Sequence, residues 1–309
     1  MIDFAVVEIT DKCNLQCKHC YGAFEGETTI SESDLKNVIA QLKENNCTRV
    51  TLSGGEPCVL QDRLFDIANE FKQAAFKVAL VTNGTLLGEN VKRYSCFDII
   101  QVSIDGTKEI HESIRGVATF DKAINGILEL RKYVSNVFAQ MTVNSINQYN
   151  FFELLKYLEK RNIILSVERA SPQGRATLLD DIDYENYDKI LDTVLDKNLL
   201  STDPMVNAKK CAKNNIFCST GYKLGCSAAK KGIAIDPKLN VFPCVRIRDV
   251  LGNLRLTTLS EILKSSKRYY YCGINSTPYR CRKCAFLNVC GGCKADSLFT
   301  NKCRLYVPS

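Results

Sequence analysis

The sequence has no tryptophan, two histidines, three methionines and only seven prolines in 309 residues. Glycine, at 17, is also modest. With 45% hydrophobic and 24% charged residues, this composition excludes collagen-like, fibrous and disordered chains and fits an ordinary soluble protein with a substantial core. No apolar run reaches the roughly 18–20 residues of a membrane span, so none is expected. Met1 leads straight into a strand-like stretch without the features of a signal peptide, and a cytoplasmic protein is expected. An excess of one charge is missing too. The 41 Lys and Arg against 34 Asp and Glu give +7, spread apart from short clusters at Lys209–Lys210, Lys230–Lys231 and Arg280–Lys283. No nucleic-acid-binding signature accompanies them, and solvated surface is preferred to an acidic partner as their explanation.

Cysteine is the abundant exception, at 16 residues. A reducing cytosol does not keep structural disulfides, so clustered cysteines there more often hold a metal or do chemistry. Three lie within Cys13–Cys20 and ten between Cys211 and Cys303. Cys47, Cys58 and Cys96 are scattered, as small buried hydrophobes are, and no role is assigned to them.

Residues 3–168 alternate between short β-branched runs and amphipathic stretches. Strands are predicted at Phe4–Ile9, Arg49–Ser53, Lys77–Thr82, Ile99–Ile104, Phe138–Val143 and Ile164–Glu168. Helices are predicted from a Ser31 cap to about Asn45, at Gln61–Ala75, Glu89–Tyr94, Phe120–Val134 and Asn150–Arg161. Six βα repeats with near-continuous apolar strands mean an α/β fold with a parallel sheet covered by helices. Periodicity alone allows either a partial barrel or an open doubly wound sheet. Both bind ligands at the carboxyl ends of the strands. After one further helix, about Tyr184–Leu199, the sequence from about Pro204 to Ser309 has too little periodic apolar character for a core of its own. Such a segment needs staples. The expected division is a core over residues 1–176, a linking helix over 177–204 and a Cys-rich region over 205–309.

The loop after the first strand carries Cys13-x3-Cys17-x2-Cys20. Three thiolates within eight residues can wrap one soft metal centre, but a structural zinc takes four ligands. A cubane iron–sulfur cluster held by three cysteines keeps one iron open to another ligand. Ser53-Gly54-Gly55-Glu56-Pro57 ends the second strand and Thr82-Asn83-Gly84 the third. Ser103-Ile104-Asp105-Gly106 ends the fourth, with Arg115 beyond it. The run Val167–Ala176 follows the sixth. Taken alone, each is a turn, a cap or a surface charge; together, all fall at strand carboxyl ends. In spacing and order they resemble the radical S-adenosylmethionine (SAM) superfamily. The resemblance implies a partial (β/α)6 barrel with a SAM-binding [4Fe–4S] cluster on Cys13, Cys17 and Cys20. It also implies SAM contacts from Gly54, Gly55 and Glu56 (the last to the methionine ammonium), from Asn83 and Asp105, from Ser103 and Arg115 at the methionine carboxylate or nearby SAM groups, and from His19 and Tyr21 near the adenine.

A second constellation comprises Cys226, Cys244, Cys281-x2-Cys284-x5-Cys290-x2-Cys293 and Cys303. It resembles the SPASM domain, which holds two auxiliary [4Fe–4S] clusters in radical SAM enzymes. Two paired cysteines alone read as a zinc ribbon. By analogy Cys281, Cys284, Cys290 and Cys303 hold one cluster. Cys226, Cys244 and Cys293 hold the other with a fourth ligand from Cys218, Cys211 or none, Cys218 being preferred. The sequence departs from the family's pattern at two places. Leu239 stands where the family has glycine, and two residues, Gly291 and Gly292, separate the last pair where it has three.

The resemblance implies reductive cleavage of SAM to a 5′-deoxyadenosyl radical that abstracts hydrogen from a substrate, fed by an electron donor such as flavodoxin or ferredoxin. Related SPASM proteins modify ribosomally made peptides, activate sulfatases, or act in haem and quinone cofactor synthesis. Val245 and Arg246 follow the Pro243-Cys244 pair where sulfatase maturases carry an acidic residue, which argues against that activity. Peptide modification, by thioether or carbon–carbon crosslinking, is the leading expectation. A leader peptide would then be bound by a separate protein or a different surface. Haem-pathway or other small-molecule chemistry comes second. A non-catalytic electron carrier or zinc-stapled protein is the reading from another class. No catalytic acid or base is identified.

Overall fold

The computed structural model describes residues 2–88, 90–203, 205–206, 209–210, 225–273, 276–277, 279–284 and 287–297. Cys211, Cys218 and Cys303, three of the expected or alternative ligands, lie outside them.

Six strands form in the expected places: β1 (Phe4–Thr10), β2 (Arg49–Gly54), β3 (Lys77–Thr82), β4 (Ile99–Ser103), β5 (Val137–Val143) and β6 (Leu165–Arg169). Each pairs in parallel with the next. Their spatial order follows chain order, β6-β5-β4-β3-β2-β1. A doubly wound sheet reverses direction partway; a sheet that never reverses sends every right-handed crossover to the same face, as in a barrel. The topology therefore resolves the alternative left open by periodicity in favour of the partial barrel.

The crossover helices bury the stripes predicted for them. In α1 (Glu32–Glu44), capped by Ser31 accepting from the Asp34 amide, Leu35, Val38 and Leu42 are buried. In α2 (Asp62–Gln73) the buried set is Leu64, Phe65, Ile67, Ala68 and Phe71. After β4 come α3 (Lys108–Arg115), which periodicity does not pick out, and α4 (Phe120–Leu130). The stripe of α5 (Phe151–Glu159) is Phe151, Leu154, Leu155 and Leu158. Helix α6 (Tyr184–Asp196) follows β6 and is capped by Asp183. The helix expected at Glu89–Tyr94 is instead a short 3-10 turn at Val91–Cys96.

The expectation of six strands is incomplete. β7 (Gly232–Ile235) lies parallel to β1, β8 (Asn240–Phe242) pairs antiparallel with β7, and β9 (Gly252–Asn253) with β8. Among the described residues the sheet has nine strands and thus runs across the expected division at residue 205. Ile233, Ile235, Leu239, Val241, Ile247 and Leu251 belong to the same apolar cluster as the barrel core. The C-terminal region extends an existing core, which is why its own sequence is too short of apolar periodicity to supply one. Among the described residues no helix is long and apolar enough to cross a membrane.

Candidate SAM and iron–sulfur site

The loop bearing Cys13, Cys17 and Cys20 leaves β1 at a register irregularity between Glu8 and Thr10, where the strand stops matching β2 residue for residue. The carboxyl ends of several strands then hold it. The Gly55 amide donates to Thr10 O (2.9 Å) and the Glu56 amide to Lys12 O (2.8 Å). Gly54 has φ +126°, and a Cβ on Gly54 or Gly55 would overlap the carbonyls of Thr10 or Lys12. From the end of β3, Asn83 Nδ2 donates to Asn14 Oδ1 (2.9 Å), while Asn14 Nδ2 reaches Thr85 Oγ1 (2.9 Å). From α3, Ile114 O accepts from the Lys18 amide (3.0 Å).

The segment after β6 closes the other side. The Arg175 amide donates to Cys20 O (2.9 Å), its Nε to Cys17 O (2.9 Å) and its Nη1 to Glu25 Oε1 (3.0 Å). Gly174, at φ +55°, lets the chain pass against the Cys20 and Tyr21 carbonyls. Arg175 was visible in sequence only as part of the run after the sixth strand; nothing marked it as the residue that ties down this loop.

Arg115, at the end of α3, sits against the cysteines. Its Nε donates to Asp105 Oδ2 (2.5 Å), its Nη1 to Cys17 Sγ (3.8 Å), and its Nη2 lies 3.4 Å from His19 Nε2. Asp105 is fully buried, 3.2 Å from His19 Nε2, and its Oδ1 accepts from the Thr142 amide (2.9 Å). Burial raises the Asp105 pKa, but Arg115 and the two histidines outweigh it and hold the carboxyl below its usual range. Burial, with Arg115 and Arg175 nearby, lowers His19 to about 4 against the pull of Asp105, so the imidazole is neutral. Ser103 ends β4 and is buried close by in sequence.

Glu56 and Asp105 both make hydrogen bonds within the protein at this carboxyl-end face. Glu56 is 1% exposed, and its carboxylate accepts from the amides of Asn83 (2.6 Å) and Cys58 (3.0 Å) and from Thr82 Oγ1 (2.7 Å). It joins the ends of β2 and β3; Asp105 aims Arg115. Gly54 and Gly55 likewise admit the cysteine loop. Tyr21 is another link: its hydroxyl donates to Glu8 Oε1 (3.1 Å), and Arg248 lies over its ring.

The residues fit the group that their donor chemistry implies. Burial pushes the Cys13 thiol up to about 11 and raises Cys17 as well, so at neutral pH they give up their protons only to a cation that binds in their place. Among the described residues no three His, Cys, Asp or Glu side chains group around a single ion; a cubane asks instead for one thiolate at each of three irons. Buried polar atoms without a hydrogen-bond partner include His19 Nδ1 and Ser171 Oγ, both at the carboxyl-end face, as expected where a polar ligand is to be received.

In the C-terminal region Cys226, Cys244 and Cys293 are drawn near one another. Cys226 raises the pKa of Cys244, whose thiol burial pushes up to about 11, and both Cys244 and Cys293 act on Arg246. Cys281 and Cys284 share a turn in which the Cys284 amide donates to Cys281 O (3.2 Å), and Cys290 ends a following helical turn. Cys47 and Cys58 are buried in the apolar core. Two arginines just beyond Cys244 reach into the barrel. Arg246 Nη2 donates to Glu168 Oε2 on β6 (2.5 Å). Arg248 grips Glu8 on β1 through Nη1 (2.9 Å) and Nη2 (2.6 Å). Neither pair was anticipated, since nothing in the sequence links positions so far apart.

A parallel barrel sheet with three cysteines looped over its carboxyl end defines a radical SAM enzyme. The Radical SAM superfamily model matches residues 7–158 and the SPASM model, an iron–sulfur cluster-binding domain, matches residues 226–294. The chain belongs to that superfamily, and its cofactors are SAM and [4Fe–4S] clusters. It is 29% identical to the AdoMet-dependent heme synthase of Methanosarcina barkeri over 93% of this chain and 90% of that protein. It is 27% identical to the antilisterial bacteriocin subtilosin biosynthesis protein AlbA of Bacillus subtilis, over 96% and 68%. The structure of Streptococcus suis SuiB bound to precursor peptide SuiA superposes with a TM-score of 0.76 at 18% identity, covering 98% of this chain and 74% of that one.

Proposed function

We propose that this radical SAM enzyme modifies a ribosomally made peptide, as an oxidoreductase-type maturase. The observation that carries the reading is similarity along 96% of the chain to a bacteriocin biosynthesis protein. The fold shared with SuiB, a protein that binds a precursor peptide, supports it. When bound, SAM and its cluster supply a radical able to take hydrogen from an unactivated carbon. The chain's own residues hold and orient. Cys13, Cys17 and Cys20 would hold the cluster; Arg115, beside Cys17, would offer its guanidinium to the SAM carboxylate, and His19, Asn83 and Ser103 would line the same face. Gly54, Gly55, Glu56, Asp105 and Tyr21 would contact SAM as well and also fix the elements that carry these side chains. Cys281, Cys284, Cys290 and Cys303 form one auxiliary ligand set, and Cys226, Cys244 and Cys293 with Cys218 the other. The functional division follows residues 1–176, 177–204 and 205–309, and the enzyme works in the cytoplasm with a separate electron donor.

A second reading, radical chemistry on a tetrapyrrole or other small molecule, is favoured by the 29% identity to a heme synthase over 90% of its length. One experiment separates the two. The anaerobically reconstituted enzyme, with SAM and dithionite, is offered peptides encoded beside its gene and, separately, iron-coproporphyrin. A SAM-dependent loss of two hydrogens from a peptide supports the first reading; a mass change confined to the porphyrin overturns it.

A further inference from the structure

One C-terminal stretch carries as much net positive charge as the whole chain. Residues 264–295 contain seven basic residues and no acidic one; without them, 34 basic residues remain against 34 acidic. Lys294 is buried, with Nζ on Gly273 O (3.0 Å) and Ser276 Oγ (2.6 Å), whereas Lys264, Lys267, Arg282 and Lys283 are exposed. The helix Ser266–Cys272 packs on the turn at Ala229–Lys230: Arg268 Nε donates to Ala229 O (2.9 Å) and Cys272 Sγ to the same oxygen (3.3 Å). This brings exposed Lys230 beside it. Among the described residues, acidic groups beside this surface include Asp249, which pairs with Lys267 (2.5 Å) and accepts from Tyr271 Oη (2.7 Å), and Glu261, which interacts with Lys264.

Three aromatic rings stand among these charges. Tyr269 is 58% exposed, Tyr270 50% and Tyr279 66%, with Lys283 Nζ 5.0 Å from the centre of the Tyr279 ring. A merely solvated basic face has no use for exposed tyrosines; protein-docking surfaces are enriched in them. The stretch is also continuous with the proposed cluster ligands: Tyr279 is two residues from Cys281, and Lys283 lies between Cys281 and Cys284.

We propose that this basic, tyrosine-rich surface docks an acidic electron-carrier protein and passes electrons between it and the iron–sulfur group held by Cys281 and Cys284. The proposal rests on the ligand assignment given above. One electron moves and no heavy-atom bond is made: a flavin of the carrier is oxidised by one electron, releasing any proton to water, while the iron–sulfur group is reduced by one. Opposite charge steers the encounter, so its rate, rather than the chemistry, carries the signature.

The test uses the anaerobically reconstituted full chain, an acidic flavodoxin reduced in advance, and stopped-flow bleaching of the iron–sulfur absorbance. For the parent, the second-order rate should fall on the order of tenfold from low to physiological salt. The combined variant Lys264→Gln, Lys267→Gln, Lys283→Gln should react about tenfold more slowly at low salt and lose most of that salt dependence, with iron content and dithionite reduction unchanged. Parental rate and salt slope in this variant would overturn the proposal. If the combined variant loses iron, the single variants decide instead: a two- to threefold slowing each supports docking here, and no slowing overturns it. Loss of the ligand assignment looks different, because Cys281→Ser with Cys284→Ser would then leave the iron content of the protein unchanged.

Discussion

The two cysteine regions are organised in different ways. Around Cys13, Cys17 and Cys20 the fixing contacts come from the barrel itself: Arg115 from α3, Asp105 from the end of β4, Arg175 from beyond β6 and the glycines ending β2. Around Cys244 they are borrowed. Arg246 and Arg248 reach out of the C-terminal region to Glu168 and Glu8, carboxylates that belong to barrel strands β6 and β1. One site is completed by folding of the barrel; the other also requires docking onto it. Because Glu8 also accepts from Tyr21, next to Cys20, the docking contact ends at the wall of the first site.

The largest effect expected from this comparison is a separation of iron content from SAM cleavage. Replacing Cys13, Cys17 and Cys20 together by serine should remove about four of about twelve irons and reduce 5′-deoxyadenosine formation to background. Serines at Cys281 and Cys284 should remove iron while leaving cleavage measurable. Anaerobic iron counts and quantified 5′-deoxyadenosine read both. Cleavage at the parental rate in the triple variant would mean that the barrel loop is not the site.

The docking contact predicts a smaller effect. Burial raises the Glu8 pKa, with Arg248 working against it through its hydrogen bonds and charge. Arg248→Met leaves a carboxylate that is 1% exposed without its cation. Breaking such a pair typically costs about 3–5 kcal/mol, and partial exposure of Arg248 puts the expectation at the low end, about 3 kcal/mol. Combining it with Glu8→Gln should recover most of the loss, which urea midpoints of the parent, the single and the double variant would show. No loss in Arg248→Met would mean that the C-terminal region is held by its strand pairing and apolar contacts alone.

What was legible in the sequence follows from what is local. The β-branched strands, the Ser31 cap and the stripes of α2, α4 and α5 are set by neighbours within one or two turns, and the structure places them within a few residues of expectation. The cysteine loop was legible because its spacing is itself local. Helix α3 was missed because its eight residues bury only His111 and Ile114, too few for a periodic stripe. β7 and β8 were missed because strands of four and three residues are stabilised by pairing with β1 and with each other, not by a pattern of their own. The same limit hid Arg248: its partner lies 240 positions away. Asp105 was noticed as a motif residue, but its bonds to Arg115 and the Thr142 amide were not legible, because those partners lie 10 and 37 positions away.

The smallest prediction concerns the barrel region and runs in acid. His111 is fully buried on α3. Its Nδ1 accepts from the Asp105 amide (3.1 Å), its ring packs edge-on against Phe120, and Nε2 has no partner. Burial, reinforced by Arg115, lowers its pKa from 6.5 to about 4. The folded protein therefore refuses a proton that the unfolded chain accepts below about pH 6.5. A depressed pKa gives stability that is present above the unfolded value and is lost as pH falls towards the folded one, so the sensitive window runs from about 6.5 down to about 4. At pH 5.5, one unit into that window, the loss relative to pH 7.5 should be about 1.4 kcal/mol from this residue. His111→Gln keeps an acceptor for the Asp105 amide but cannot titrate there. Its stability should therefore fall less than the parent's between pH 7.5 and 5.5, by about that amount, in urea titrations of the anaerobic protein. An equal fall in both proteins would mean that His111 takes up a proton without opposition, and that the interior of the barrel at the base of Arg115 is wetter than its packing indicates.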